Sequence, residues 1–179
     1  MVKRFLVSLS ALLVLALSIS SCKNNDDVAK WVGRTIVFPK NMVFTKYSND
    51  TVSFEMNKEY KVLTYISEDD CFPCVLNKLD WTDLMNEVDS VSHHHVSYIF
   101  VVHPSDVKTL VNFQRNYSFD LPVFVDIMDS VNILNEFPAS SMMHSFLLDN
   151  DNKVVLVGQP ILNNRIRDLY IKTIESVFQ

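Results

Sequence analysis

Apolar positions along this chain keep two rhythms, one of alternation or short continuous runs and one of helical spacing. Lys61-Val62-Leu63-Thr64-Tyr65-Ile66-Ser67 and Val96-Ser97-Tyr98-Ile99-Phe100-Val101-Val102 are rich in β-branched and aromatic residues, which predicts buried strands. Between them Val75, Leu76, Leu79, Leu84, Met85 and Val88 recur at helical spacing around Asn77, Lys78, Asp80 and Asp83, which predicts one amphipathic helix from Cys71 to Val88. A second helix carries Val107, Leu110, Val111 and Phe113 behind a Ser105-Asp106 cap. Pro122-Val123-Phe124-Val125-Asp126 is a short strand, and Ser130 caps a brief helix through Val131, Ile133 and Leu134. Ser145–Leu148 and Lys153–Val157 flank the turn-forming Asp149-Asn150-Asp151-Asn152 and predict a hairpin. Ile166, Leu169, Tyr170, Ile174 and Val177 mark a closing helix. Upstream, Thr35–Phe38, Met42–Phe44 and Thr51–Phe54 are short strand candidates that predict an N-terminal β-hairpin. Strands alternating with helices predict an α/β fold, and the terminal hairpin makes its sheet mixed.

The chain start adds a destination. Lys3 and Arg4 precede an apolar stretch from Phe5 to Ile19 that is short for a membrane span and reads as a secretory signal over residues 1–21. Ile19-Ser20-Ser21-Cys22 resembles a bacterial lipobox, which predicts cleavage before Cys22 and lipid on its thiol. The alternative is ordinary cleavage nearby, with Cys22 a free thiol. Lipidation accounts for the odd count of three cysteines, since one anchor and one dithiol leave none over. Residues 22–27 form a polar tether, and 28–179 remain for one domain. A lipid-anchored, periplasm-facing protein of the bacterial envelope is expected; Asp26-Asp27 would also suit export to the cell surface.

Charge and glycine content remove other classes. The formal charge is −5, and loss of Lys3 and Arg4 takes it to −7, which disfavours nucleic-acid partners. With only two glycines, Gly33 and Gly158, glycine-rich phosphate loops are excluded.

The chemistry gathers at Cys71-Phe72-Pro73-Cys74, placed between a strand and a helix. Cys71 at the helix N-terminus would be favoured as a thiolate by unpaired N–H groups and the macrodipole, and Cys74 one turn on could attack a mixed disulfide on Cys71. His93-His94-His95 alternate in direction and lack a third spaced ligand, so a solvated loop is preferred over a metal site. His103 follows the strongest strand, either as a functional group or as a loop residue beside Pro104. His144 lies in the approach to the hairpin, where an imidazole could take or stabilise the thiol proton, or else sit at the surface. Trp81 and Phe113 read as core or groove-rim aromatics.

This order of elements resembles the thioredoxin fold, and most closely the TlpA-type thioredoxin-like reductases, which are membrane-tethered and face the periplasm. Leu121-Pro122-Val123-Phe124-Val125-Asp126, Ser145-Phe146-Leu147-Leu148-Asp149, Lys153-Val154-Val155 and Gly158 carry the resemblance from Lys61 to the C-terminus. It implies Cys71 as nucleophile and Cys74 as resolving thiol; Phe72, Pro73, Asp70, Met143 and His144 are expected to shape the groove or the thiol's acidity. Met143 stands where the family has a cis-proline, and a trans Met142-Met143 bond is expected because a non-proline cis bond costs about 3–4 kcal/mol. Ser67-Glu68-Asp69-Asp70 replaces a tryptophan-rich approach, and its carboxylates should disfavour a Cys71 thiolate. Tyr65 falls where a buried carboxylate assists the resolving thiol. Proline before the second cysteine is the arrangement of reducing thioredoxins near about −270 mV rather than of oxidants near about −120 mV. The resemblance therefore implies an oxidoreductase that is more reductase than oxidase. It needs no cofactor beyond its redox-active disulfide and is paired with exported thiol or disulfide proteins and an unidentified electron donor. The alternative is a thioredoxin-fold binding lipoprotein whose disulfide is structural or redox-sensing.

Overall fold

The computed structural model describes residues 28–178; the expected signal, Cys22 and tether lie outside the described residues. In chain order the elements are β1 (Phe44–Lys46), β2 (Asp50–Thr51), β3 (Tyr60–Ile66), α1 (Phe72–Val75), α2 (Lys78–Ser92), β4 (Val96–Val102), α3 (Val107–Asn116), β5 (Val123–Val125), α4 (Ser130–Asn135), β6 (Ser145–Leu148), β7 (Val154–Val157) and α5 (Asn164–Phe178). The strands form one seven-stranded sheet in the order β2-β1-β5-β4-β3-β6-β7. β3, β4 and β5 are parallel, whereas β6 is antiparallel to β3 and β7 to β6. The β1–β2 hairpin extends the other edge antiparallel to β5. The mixed sheet and the N-terminal hairpin are as expected.

Two-sided burial explains why the central strands are apolar without a break. Val62 and Ile66 of β3, with Val96, Phe100 and Val102 of β4, enter a core shared with α1, α2, α3 and α5. Leu63 and Tyr65, with Ile99 and Val101, point the opposite way, into a core closed by Val131 of α4 and by Trp31 and Ile36 of the N-terminal segment.

The predicted helix from Cys71 to Val88 is two helices. Asn77 is extended, and its side-chain oxygen accepts from the N–H groups of Leu79 (3.0 Å) and Asp80 (3.5 Å), so it caps α2 instead of continuing α1. The break changes the helical phase. Leu79, expected on the apolar face, is 74% exposed, while Trp81, Leu84 and Val88 are buried. The carbonyl of Val75, freed by the break, accepts from the Trp81 indole N–H at 2.7 Å.

Further upstream, Thr35–Phe38 is not a strand. Thr35 makes an isolated bridge to Lys153, and both backbone groups of Val37 are taken by the Asn135 side chain at 2.8 and 2.9 Å. Of Met42–Phe44 only Phe44 enters β1, and of Thr51–Phe54 only Thr51 enters β2. Ser130 is the first residue of α4 and not its cap; its hydroxyl donates to Asp126 Oδ1 at 2.7 Å. Ile133, Leu134, Leu169 and Val177 are exposed, so Val131, Tyr170 and Ile174 carry the packing of the last two helices.

Trp81→Phe keeps most of the buried ring but leaves the Val75 carbonyl without its donor. Urea unfolding of the oxidised protein should show a loss of about 1–3 kcal/mol. An unchanged midpoint would mean that this bond does not tie α1 to α2.

Candidate functional site

Cys71 and Cys74 form a disulfide, with Cα atoms 5.3 Å apart, at the carboxyl end of β3. Cys71 is the N-cap of α1, and its carbonyl accepts from the N–H groups of Cys74 (3.0 Å) and Val75 (3.1 Å). Pro73 sits in this first turn, where no N–H is required of it. Phe72 is buried with its ring 6.4 Å from that of Phe113, and Leu76 is fully buried, so the turn is pinned from below. Cys71, Pro73 and Cys74 are exposed. Because α1 has four residues, the helix behind Cys71 is one turn and not the long helix the spacing predicted.

The acidic flank does not behave as a uniform patch. Glu68 and Asp69 are exposed, whereas Asp70 turns inward. Its Oδ2 accepts from the Ser67 N–H at 2.8 Å and lies 3.3 Å from His144 Nδ1. His144 Nε2 lies 2.7 Å from the Pro138 carbonyl, and the His144 carbonyl accepts from the Tyr65 N–H at 2.9 Å. Both side chains are only 9% exposed. Burial works to raise the Asp70 carboxyl, but the hydrogen bonds from His144 and Ser67, with the attraction of His144, outweigh it and hold the pKa below the ordinary carboxylate value. His144 is therefore neither a surface residue nor without a partner; what it faces is Asp70, not solvent.

Met143 ends a 3-10 turn, Ser141–Met143, and packs against the second core. No peptide bond among the described residues is cis, so Met142-Met143 is trans as expected. Tyr65 donates its hydroxyl to Asp129 Oδ1 at 2.7 Å. Burial, that bond and the charges of Asp129, Asp70 and Asp126 push its pKa up, which makes Tyr65 a donor here and not a base. His103 is half-buried, with Nδ1 2.9 Å from the Asp126 carbonyl.

The histidine run lies elsewhere, before β4. His94 pairs with Asp89 and His95 with Glu59, and among the described residues no group of three or more His, Cys, Asp or Glu side chains is arranged to hold a metal ion. Trp81 and Phe113 are buried core residues.

The topology brings further groups to the dithiol end of the sheet. Ile127 and Met128 follow β5, and Met142 precedes β6; all three are exposed, Met128 by 78%. Asp129 was not visible as a partner of Tyr65 in the sequence, because 64 residues separate them and no motif links them.

No protein-family model matches this chain, and no curated protein matches it. Solved structures do. Peroxidoxin BcpB from Mycobacterium tuberculosis aligns with a TM-score of 0.55 and 16% identity over 83% of this chain and 98% of that one. The bacterioferritin comigratory protein of Xanthomonas campestris, described for alkyl peroxide reduction, aligns with a TM-score of 0.53 and 15% identity over 77% of this chain and 92% of that one. A candidate electron transfer protein from Aquifex aeolicus aligns with a TM-score of 0.52 and 13% identity over 80% and 97%. At these identities the likeness is one of fold, and the fold is thioredoxin-like.

A carboxyl held low in the folded state contributes stability that is complete above its unfolded pKa of about 4 and is lost as pH falls through the lower folded value. The stability of the parent relative to Asp70→Asn should therefore fall as urea unfolding is taken downward from about pH 4. A difference that stays constant with pH would contradict the buried, hydrogen-bonded carboxylate.

Proposed function

We propose that this chain is a lipid-anchored thiol–disulfide oxidoreductase of the bacterial envelope that works through Cys71 and Cys74 in the manner of the TlpA-type reductases. The observation that carries the reading is a cysteine pair in bonding distance, exposed on a turn that is itself anchored by buried Phe72 and Leu76. A reactive pair needs both properties, access for a bulky disulfide and a fixed geometry between the two sulfurs.

In the reducing direction the Cys71 thiolate attacks a client disulfide, forming a Cys71–client bond and releasing one client thiolate. Cys74 then attacks Cys71 Sγ, closing the Cys71–Cys74 disulfide and releasing the second client thiolate. Two electrons pass to the client, and the oxidised pair is the state the structure holds. A donor dithiol returns them. The pair itself carries the electrons, so the reaction calls for no metal or organic cofactor. Pro73 before Cys74 favours this direction over oxidation. Exposed Ile127, Met128 and Met142 at the same end suit exported clients that present apolar segments. The fold is one also used by an alkyl peroxide reductase, so it is compatible with thiol redox work. Lipid on Cys22, followed by the tether to residue 27, would hold the domain on a membrane facing the periplasm.

A second reading, a binding lipoprotein with a static or sensing disulfide, draws support from Met143 in place of the family's proline. The two part in the native envelope. Cys74→Ser should accumulate mixed disulfides that vanish on reduction and are missing from Cys71→Ser/Cys74→Ser. A Cys71 that remains free to alkylation and traps nothing would favour the binding reading. Cys22→Ala should release the protein from membranes; retention there would remove the lipid anchor from the account.

A further inference from the structure

His144 lies between two acceptors. Nε2 is 2.7 Å from the Pro138 carbonyl, which can only accept, and Nδ1 is 3.3 Å from Asp70 Oδ2. A neutral imidazole has one donor nitrogen and cannot satisfy both. Asp70 cannot supply the missing proton cheaply, because the same Oδ2 already accepts from the Ser67 N–H at 2.8 Å. Both contacts are hydrogen bonds together only if His144 is an imidazolium facing a carboxylate.

The surroundings favour that charge. Asp70 comes from the turn between β3 and α1, and Tyr65 of β3 sets its ring 5.2 Å from the imidazole. Behind Tyr65 stand Asp129, which accepts its hydroxyl, and buried Asp126. Phe137, with its ring 6.3 Å away, is the apolar neighbour before Pro138. Glu68 and Asp69 share the turn but are exposed to solvent. Among these described residues, the imidazolium is the positive charge set against Asp70.

We propose that His144 and Asp70 are positioning residues: a buried imidazolium–carboxylate pair that fixes the turn ahead of Cys71 and cancels the negative charge on the residue next to the nucleophile. The inference rests on reading Cys71 as the attacking thiol. The carboxylate that should suppress a Cys71 thiolate is thereby neutralised from β6's approach turn, the same turn that in this chain holds Met143 in place of proline. An exposed lysine could not do this, because solvent would screen it.

The pair predicts an unusual pattern of variants in the full chain carrying Cys74→Ser. The readout is alkylation of Cys71 across pH, followed at the Cys71 peptide by mass spectrometry. His144→Gln leaves Asp70 charged and without a counter-charge, so the Cys71 midpoint should rise by about one pH unit and neutral-pH alkylation should slow about tenfold. Asp70→Asn should stay near the parent, because a neutral imidazole can donate to Pro138 and accept from the Asn amide. Asp70→Asn/His144→Gln, with no charge left at either position, should also return to the parent value. A residue that acted only by packing would not be rescued by removing its partner's charge. An unchanged midpoint in His144→Gln, or no recovery in the double variant, would overturn the proposal. Should His144→Gln not fold, nitrogen NMR of the unsubstituted protein decides: two protonated ring nitrogens on His144 at neutral pH are expected, and one would overturn it. None of these readouts uses a client, so failure here is separable from failure to trap one.

Discussion

The pairing of β3 with β6 is the constraint on which the site depends. β3 leads into the Cys71 turn at its carboxyl end, and β6, running antiparallel, begins beside that same end. The Thr64–Ser145 register, reinforced by a buried hydroxyl–hydroxyl contact of 3.0 Å, and the Tyr65 N–H bond to the His144 carbonyl set where His144 stands. A slip of one residue would turn its side chain to the opposite face of the sheet. Residues 74 positions apart thus meet because two strands share one register.

Around this axis the molecule separates access from support. The sulfurs and Pro73 are exposed, while Phe72, Leu76 and Trp81 below them are buried. The helix break at Asn77 would leave the Val75 carbonyl stranded in the core, a cost of about 1–3 kcal/mol, were the Trp81 indole not there to satisfy it. Charges follow the same logic. Glu68 and Asp69 are left to solvent, whereas Asp70, Asp126 and Asp129 each receive named donors: His144 and Ser67, then Ser130 and Val131, then Tyr65 and Asn132. The dithiol end of the sheet is consequently acidic in composition but locally compensated.

Much of the fold was legible because two-sided burial leaves a strong trace. Val96–Val102 forms β4 at the limits its composition predicts, and the Ser145–Val157 hairpin forms around its Asp-Asn turn. Where a side chain competes for backbone groups, the apolar pattern misleads. Asn77 splits one expected helix, and Asn135 takes the hydrogen bonds that Val37 would have given a strand. The cysteine pair was readable from spacing and context. Asp70 and His144 are each legible for a reason of their own, the one as a repelling charge and the other as a proton acceptor. Their contact with one another was not readable, since it depends on strand register and not on local sequence, and it changes what Asp70 contributes beside the thiol.

The reduction potential of the Cys71–Cys74 pair, measured by equilibration with thiol–disulfide buffers, tests the central claim most directly. A pair that cycles should be reduced and reoxidised reversibly, with a potential between about −270 mV and about −180 mV, in the range of reducing and isomerising dithiols. A pair that resists reduction below about −300 mV, as structural disulfides of exported proteins do, would contradict it.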